Sequence, residues 1–147
     1  MKSEPEAFSI DDLARKKRGH WDGVRNYQAR NNMKAMAVGD LVLFHHSSVE
    51  PPGVAGVARV CRTAYPDFTA WDKKSAYYDP RSTAAKPVWE MVDVEFIEKF
   101  PHFVSLEEMR GHPGREEMLV IRKGMRLSVQ PVSKKQFEIV RRMGNGE

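Results

Sequence analysis

One cysteine, Cys61, is all the chain has, so no disulfide can close within it and a disulfide-stapled secreted scaffold is excluded. No apolar run approaches the roughly 18 residues a membrane-spanning helix needs, and the opening MKSEPEAFSIDD lacks the apolar stretch of a secretory signal. Ten Gly and nine Pro in 147 residues are too few for a repetitive or collagen-like chain. A P-loop, a G-x-G-x-x-G and a G-x-S-x-G are all missing. The five histidines, His20, His45, His46, His102 and His112, make no H-x-x-x-H pair, and no C-x-x-C exists. His45 and His46 lie on opposite faces if they share a strand, so they do not chelate one ion simply. No metal, no cofactor and no catalysis are expected.

What is present fits one domain over residues 1–147, with 41% apolar and 30% charged residues. A reducing interior compartment is expected, the cytoplasm, or the nucleus if the source is eukaryotic. The net charge of +4 is unevenly placed: residues 1–38 carry +3, 39–104 carry −2 and 105–147 carry +3. Basic ends that meet in the fold would suit nucleic acid; dispersed, they are a solvated surface.

Ser9 and Asp12 resemble a capping box that opens a helix over IDDLARKK, ended near Gly19, with Arg15–Arg18 favourably placed at its C-terminus. Asn26 to Met36 reads as a second short helix. LVLFHHS, VAGVARVCRTA and VWEMVDVEFIEKF read as strands, and Gly56 in the second marks a bulge or a close backbone approach. Cys61, in that same strand, is expected to be a small buried thiol. Ser105 with Glu108 caps a short helix, RLSVQPVS reads as a further strand, and Ser133 with Gln136 caps the last helix. Residues 65–87 hold three Pro and five aromatics without a period, and a loop that long inside a compact domain is usually functional. Strands bracketed by helices, with no βαβ alternation, predict an α+β fold: a mixed β-barrel, open or closed, with peripheral helices.

Trp21-Asp22-Gly23-Val24-Arg25-Asn26-Tyr27 concentrates aromatic, guanidinium and amide groups around a turn. Such side chains stack on bases and bond phosphates or base edges. Equally, Trp21 and Tyr27 could be core anchors on either side of a tight turn. Trp89, opening a strand, is the strongest core candidate by pattern.

The segments Lys2-Ser3-Glu4-Pro5, Trp21 to Asn31, Gly39 to Ser47, Tyr65-Pro66-Asp67, Tyr78-Asp79-Pro80, Trp89 to Val94 and Arg126 to Val132, in that order, resemble the EVE domain family, related to the thymocyte nuclear protein family. The resemblance spans essentially the whole chain. It implies a PUA-like fold, a small mixed β-barrel flanked by short helices, akin to YTH and SRA-like readers of modified bases. It implies a monomeric, non-catalytic module that reads a modified base, modified cytosine in DNA foremost, by flipping it into an aromatic and polar pocket. An RNA-binding module is the alternative, and a hydrolase or nuclease accessory domain a more distant one. The pocket implied comprises Ser3 and Glu4; Trp21, Arg25 and Asn26; His46 and Ser47; and Arg126, Ser128 and Gln130. Trp21 or Trp89 would be the stacking wall, Ser47 and Asn26 would read the base edge, and Arg25 and Arg126 would hold phosphate, with Lys16 and Lys17 adding non-specific affinity. Two features depart from the family pattern. Members commonly carry an aromatic and apolar residues ahead of K-S-E-P, and His45 stands where an aromatic is common.

Overall fold

The computed structural model describes residues 1–112 and 127–147. Its centre is a five-stranded mixed sheet of order β1-β3-β4-β5-β2. The strands are β1 (Lys2–Ser3), β2 (Arg18–His20), β3 (Leu41–His46), β4 (Gly53–Pro66) and β5 (Glu90–Ser105). β1 runs parallel to β3; the other pairs are antiparallel. Around the sheet lie α1 (Ile10–Lys16), α2 (Tyr27–Lys34), a 3-10 turn (Phe68–Trp71), α3 (Leu106–Arg110) and α4 (Lys134–Gly144).

The helix starts follow the sequence signals. Ser9 and Asp12 form a reciprocal capping box on α1, and Ser105 and Glu108 form one on α3. The Ser133 side chain accepts from the Gln136 N–H at the start of α4. One face of the sheet packs Ile10, Leu13, Ala29 and Met33 of α1 and α2 against Val42, Phe44, Val92 and Val94. The other packs Phe137 and Val140 of α4 and Met109 of α3 against Val54, Val57 and Val104.

A regular strand sends residues an odd number apart to opposite faces. Val54 and Val57 nevertheless share a face, and the ladder slips between Val54 and Gly56. An extra residue there reverses the side-chain phase, so both halves of β4 present apolar groups to a core. β5 reverses likewise, from Val92 and Val94 on one face to Val104 on the other. Gly56 is where backbones approach: a Cβ would run into the Glu98 carbonyl oxygen and press on Ile10 Cγ1 at 3.1 Å. Gly56→Ala should therefore cost about 1–3 kcal/mol by overpacking. The urea midpoint should fall with an unchanged m-value, and a wild-type midpoint would refute the close approach.

Several sequence expectations change. The described strands do not close into a barrel: β1 and β2 are opposite edges of the sheet. RLSVQPVS carries no strand over its described residues 127–133. Pro131 has no N–H for a ladder, the Val129 carbonyl accepts from Asn32 Nδ2 at 2.8 Å, and Gln130 Nε2 donates back to the Leu127 carbonyl at 2.6 Å. Cys61 is half-buried rather than buried, and burial pushes its thiol pKa up. Of residues 65–87, expected to hold no regular element, Tyr65 and Pro66 end β4 and Phe68–Trp71 form the 3-10 turn, while 72–87 are turns, bends and irregular chain. Trp89 lies just ahead of β5 rather than opening it.

Candidate functional site

A concavity of about 790 Å³ is lined by both edge strands of the sheet, β1 and β2. Its walls come from five separate segments, four of them brought together by backbone bonds. Ser3 pairs with His46 in the parallel β1–β3 ladder, and the Ser47 N–H donates to the Ser3 carbonyl at 2.8 Å. The Lys2 N–H donates to the Ser128 carbonyl at 2.7 Å, tying in the segment ahead of α4. The Trp21 N–H donates to the Val92 carbonyl at 2.8 Å, which hangs residues 21–24 from β5.

Trp21 is 6% exposed and meets Phe44 edge-on at 5.2 Å and Phe8 at 6.3 Å. It is thus both a core residue and, with Phe8, part of the cavity lining. Tyr77 lies over Gly23: a Cβ at Gly23 would sit 2.7 Å from the Tyr77 ring, and its φ of +79° is one that L-residues avoid.

Arg25 sets that approach. Its guanidinium donates to Asp67 Oδ2 at 2.9 Å, to the Tyr77 carbonyl at 2.7 Å and to the Val24 carbonyl at 3.0 Å. Asp67 Oδ2 also accepts from the Gly23 N–H at 2.9 Å, and Oδ1 from the Thr69 N–H at 2.9 Å. One buried carboxylate thereby joins the 22–24 turn, the 3-10 turn and the Tyr77 loop.

Lys2, Lys16 and Arg18 bring positive charge to the lining, against Glu4 and Asp22. Lys17 between the two cations holds φ +69°, a strained backbone at the turn from α1 into β2. Burial lowers the Lys2 ammonium pKa. Burial raises that of the Asp22 carboxyl, against the opposing pull of His20, whose Nε2 is 3.5 Å away.

Of the residues expected at a pocket, Ser3, Glu4, Trp21, Ser47 and Ser128 line this concavity. The others are placed elsewhere, for identifiable reasons. Arg25 is spent on Asp67 and Tyr77. Asn26 caps α2, its Oδ1 accepting from the Ala29 N–H at 3.0 Å. His46 Nε2 accepts from the Ile10 N–H at 3.1 Å, which requires the proton on Nδ1. Trp89 is 2% exposed and donates its indole N–H to Asp79 at 2.7 Å. Gln130 bonds its own turn, and Arg126 lies outside the described residues. Phe8, Arg18, His20 and Tyr77 line the cavity without having been singled out as site residues. Only Asp22 and Gly23 had a local signal, as neighbours of Trp21.

Among the described residues, no group of three His, Cys, Asp or Glu could hold a metal ion, and no helix is long and apolar enough to cross a membrane.

A profile of the EVE domain matches residues 1–143. Thymocyte nuclear protein 1 of Homo sapiens is 39% identical over 158 residues, covering 95% of this chain and 70% of that protein. Its Danio rerio counterpart is 42% identical over 165 residues, covering 99% and 71%. A hypothetical protein from Leishmania major superposes with TM-score 0.95 at 51% identity, over 99% of this chain and 92% of that one. The human THYN1 protein in complex with 5-methylcytosine-containing DNA superposes with TM-score 0.91 at 39% identity, over 100% and 96%.

Proposed function

The chain belongs to the EVE domain family, and from that premise we propose that it is a non-catalytic DNA-binding module that reads a modified base, foremost a modified cytosine. The observation that carries the reading is the concavity itself, in a fold shared with a protein seen on 5-methylcytosine DNA. An aromatic pair, Trp21 and Phe8, sits beside hydroxyls and carboxyls, and Lys16 and Arg18 are exposed at the mouth. Its volume of about 790 Å³ falls within the usual range of ligand sites.

A base drawn from the stack would need an aromatic surface and a few groups for its Watson–Crick edge. Trp21 offers the first. Ser47, Glu4 and Asp22 offer the second, because a carboxylate accepts from the cytosine amino group. Lys16 and Arg18 would take the flanking phosphates; from the sequence that role is expected of Arg25 and Arg126, with Lys16 and Lys17 adding non-specific affinity. The bulged open sheet with its short helices is read as PUA-like, and one monomeric domain suffices.

The test is a titration with duplexes differing only in one 5-methylcytosine, repeated over a range of salt, with an RNA of the same sequence alongside. One methyl in a fitted pocket discriminates by about 1–3 kcal/mol. Lys16→Ala and Arg18→Ala should weaken both duplexes alike, each lowering the slope of log K against log salt by about 1. Trp21→Phe should narrow the methylated preference and leave the slope alone. Equal binding of both duplexes by the wild type would refute the modified-base reading, and a preference for the RNA would reassign the partner.

A further inference from the structure

We propose that Tyr27 is a second nucleic-acid contact, a stacking platform for an unpaired base on the strand running from the concavity, flanked by Arg30 and Arg81. The proposal rests on the DNA reading above only for the choice of partner.

Three side chains, Tyr77, Arg25 and Trp89, connect the concavity to this platform. The Arg25 guanidinium lies 5.8 Å from the Tyr77 ring and 5.6 Å from the Trp89 ring. Trp89 in turn stacks on Tyr27, centroids 4.9 Å apart and planes inclined by 26°. A guanidinium thus sits between two aromatic rings, a third ring stacks outside them, and that last ring is 52% exposed.

Tyr27 keeps one face open. Trp89 covers the other. The Arg30 guanidinium is 4.9 Å from the Tyr27 centroid but only 6.0 Å from that of Trp89. On the far face of Tyr27 it would lie nearly twice as far from Trp89, so Arg30 stands beside the stack. The Val88 carbonyl, accepting from Arg30 Nη1 at 2.8 Å, holds it there. Arg81 feels the Tyr27 hydroxyl electrostatically and is held by Asp79, which also anchors the Trp89 indole. Its side chain is 69% exposed, so its charge remains open to an incoming phosphate.

A rigid, half-buried pair of rings with one free face and two guanidiniums at its edge suits a base and its phosphate. Base–aromatic stacking tolerates any sequence because every base has a π-face. The platform would therefore add affinity without adding preference for the modification.

The experiment uses the full chain and a thymidine oligonucleotide carrying one 5-iodouracil, irradiated and mapped by peptide mass spectrometry. Crosslinking at Tyr27 is expected, with Tyr27→Leu abolishing it. Tyr27→Leu should also bind single-stranded thymidine roughly 5- to 100-fold more weakly. The ratio of methylated to unmethylated duplex affinity should not change. Arg81→Ala should weaken binding and flatten its salt dependence. If crosslinks map only elsewhere and both variants bind as wild type, the platform is refuted, while a retained methyl preference would leave the DNA reading standing. If Tyr27 crosslinks but the wild type does not distinguish methylated from unmethylated duplex, the modified-base reading fails and the platform stands. Absence of any nucleic-acid binding overturns both.

Discussion

Asp67→Ala should destabilise the protein by about 3–5 kcal/mol, the scale for removing one partner of a buried ion pair. The Asp67 side chain is fully buried, and that of Arg25 is 23% exposed. Without the carboxylate, a largely buried guanidinium loses its counter-charge, and the Gly23 and Thr69 N–H groups lose their acceptors. Each unpaired group adds its own desolvation cost. Asp67→Asn is the sharper variant. It keeps the shape, but an amide has one oxygen for a site where donors converge on both, so an N–H must face an N–H. Arg25→Ala should also destabilise, by stranding the charge on Asp67. Because the two act on one network, the double variant should lose much less than the sum of the singles. Urea unfolding of the set measures this, and near-ultraviolet dichroism reports whether Tyr77 has left Gly23. Additive losses, or single variants with wild-type midpoints, would refute the clamp.

That clamp shows why a site can be partly legible in a sequence. Trp21 carries its signal locally, in a turn dense with aromatic and polar groups, whereas Ser3 and Ser47 are marked only by the resemblance to the family; all three line the concavity. Arg25 sits in the same short motif, yet its partners Asp67 and Tyr77 lie 42 and 52 residues away. No local pattern distinguishes a guanidinium aimed at solvent from one aimed at a carboxylate so distant in the chain. Asn26 shows the complement: it was read as a base-edge group, although an Asn immediately before a helix is a capping residue by its local chemistry. Arg18 falls in a basic run that helix-dipole arguments already explain, so nothing local marks it as lining the cavity, whereas Lys16 of the same run is expected to add non-specific affinity.

The fold divides along similar lines. Long strands and capped helices announce themselves by period and by end residues. β1 and β2, of two and three residues, are too short to show a period, and partners elsewhere in the chain define them. Barrel closure depends on how sheet edges meet, which alternation does not encode. The edges here line the concavity instead: β1 contributes Lys2 and Ser3, and β2 contributes Arg18 and His20.

His45 should make the protein lose stability as pH falls from about 6.5, and His45→Phe should remove most of that loss. The side chain is 4% exposed, and neither ring nitrogen has a hydrogen-bond partner among the described residues. Burial drives its pKa down to about 3, with the Met1 amino group, Lys2 and His46 adding repulsion. The imidazole thus stays neutral in the fold, while the unfolded chain takes up a proton near pH 6.5. Between those values the unfolded state binds more protons, so the His45 contribution is greatest above pH 6.5 and falls by up to about 1.4 kcal/mol per pH unit. The buried Met1 amino group, its pKa lowered from 8.0 to about 5, adds a loss of the same sign that begins at higher pH. Over the whole window, His45 accounts for several kcal/mol. His46 also has a lowered pKa, through burial, and adds a smaller loss of the same sign. The carboxylates of Asp12, Asp79 and Glu108, held low by their hydrogen bonds, lose their contribution only in more acidic solution. The difference between wild type and His45→Phe between pH 4.5 and 6.5 therefore isolates the imidazole from these carboxylates. Phe suits the site because Val54, Met109 and Val140 line the small apolar cavity that His45 borders. Urea midpoints taken across this range should diverge steadily with acidity. Parallel curves would show that His45 finds a proton acceptor in the folded protein.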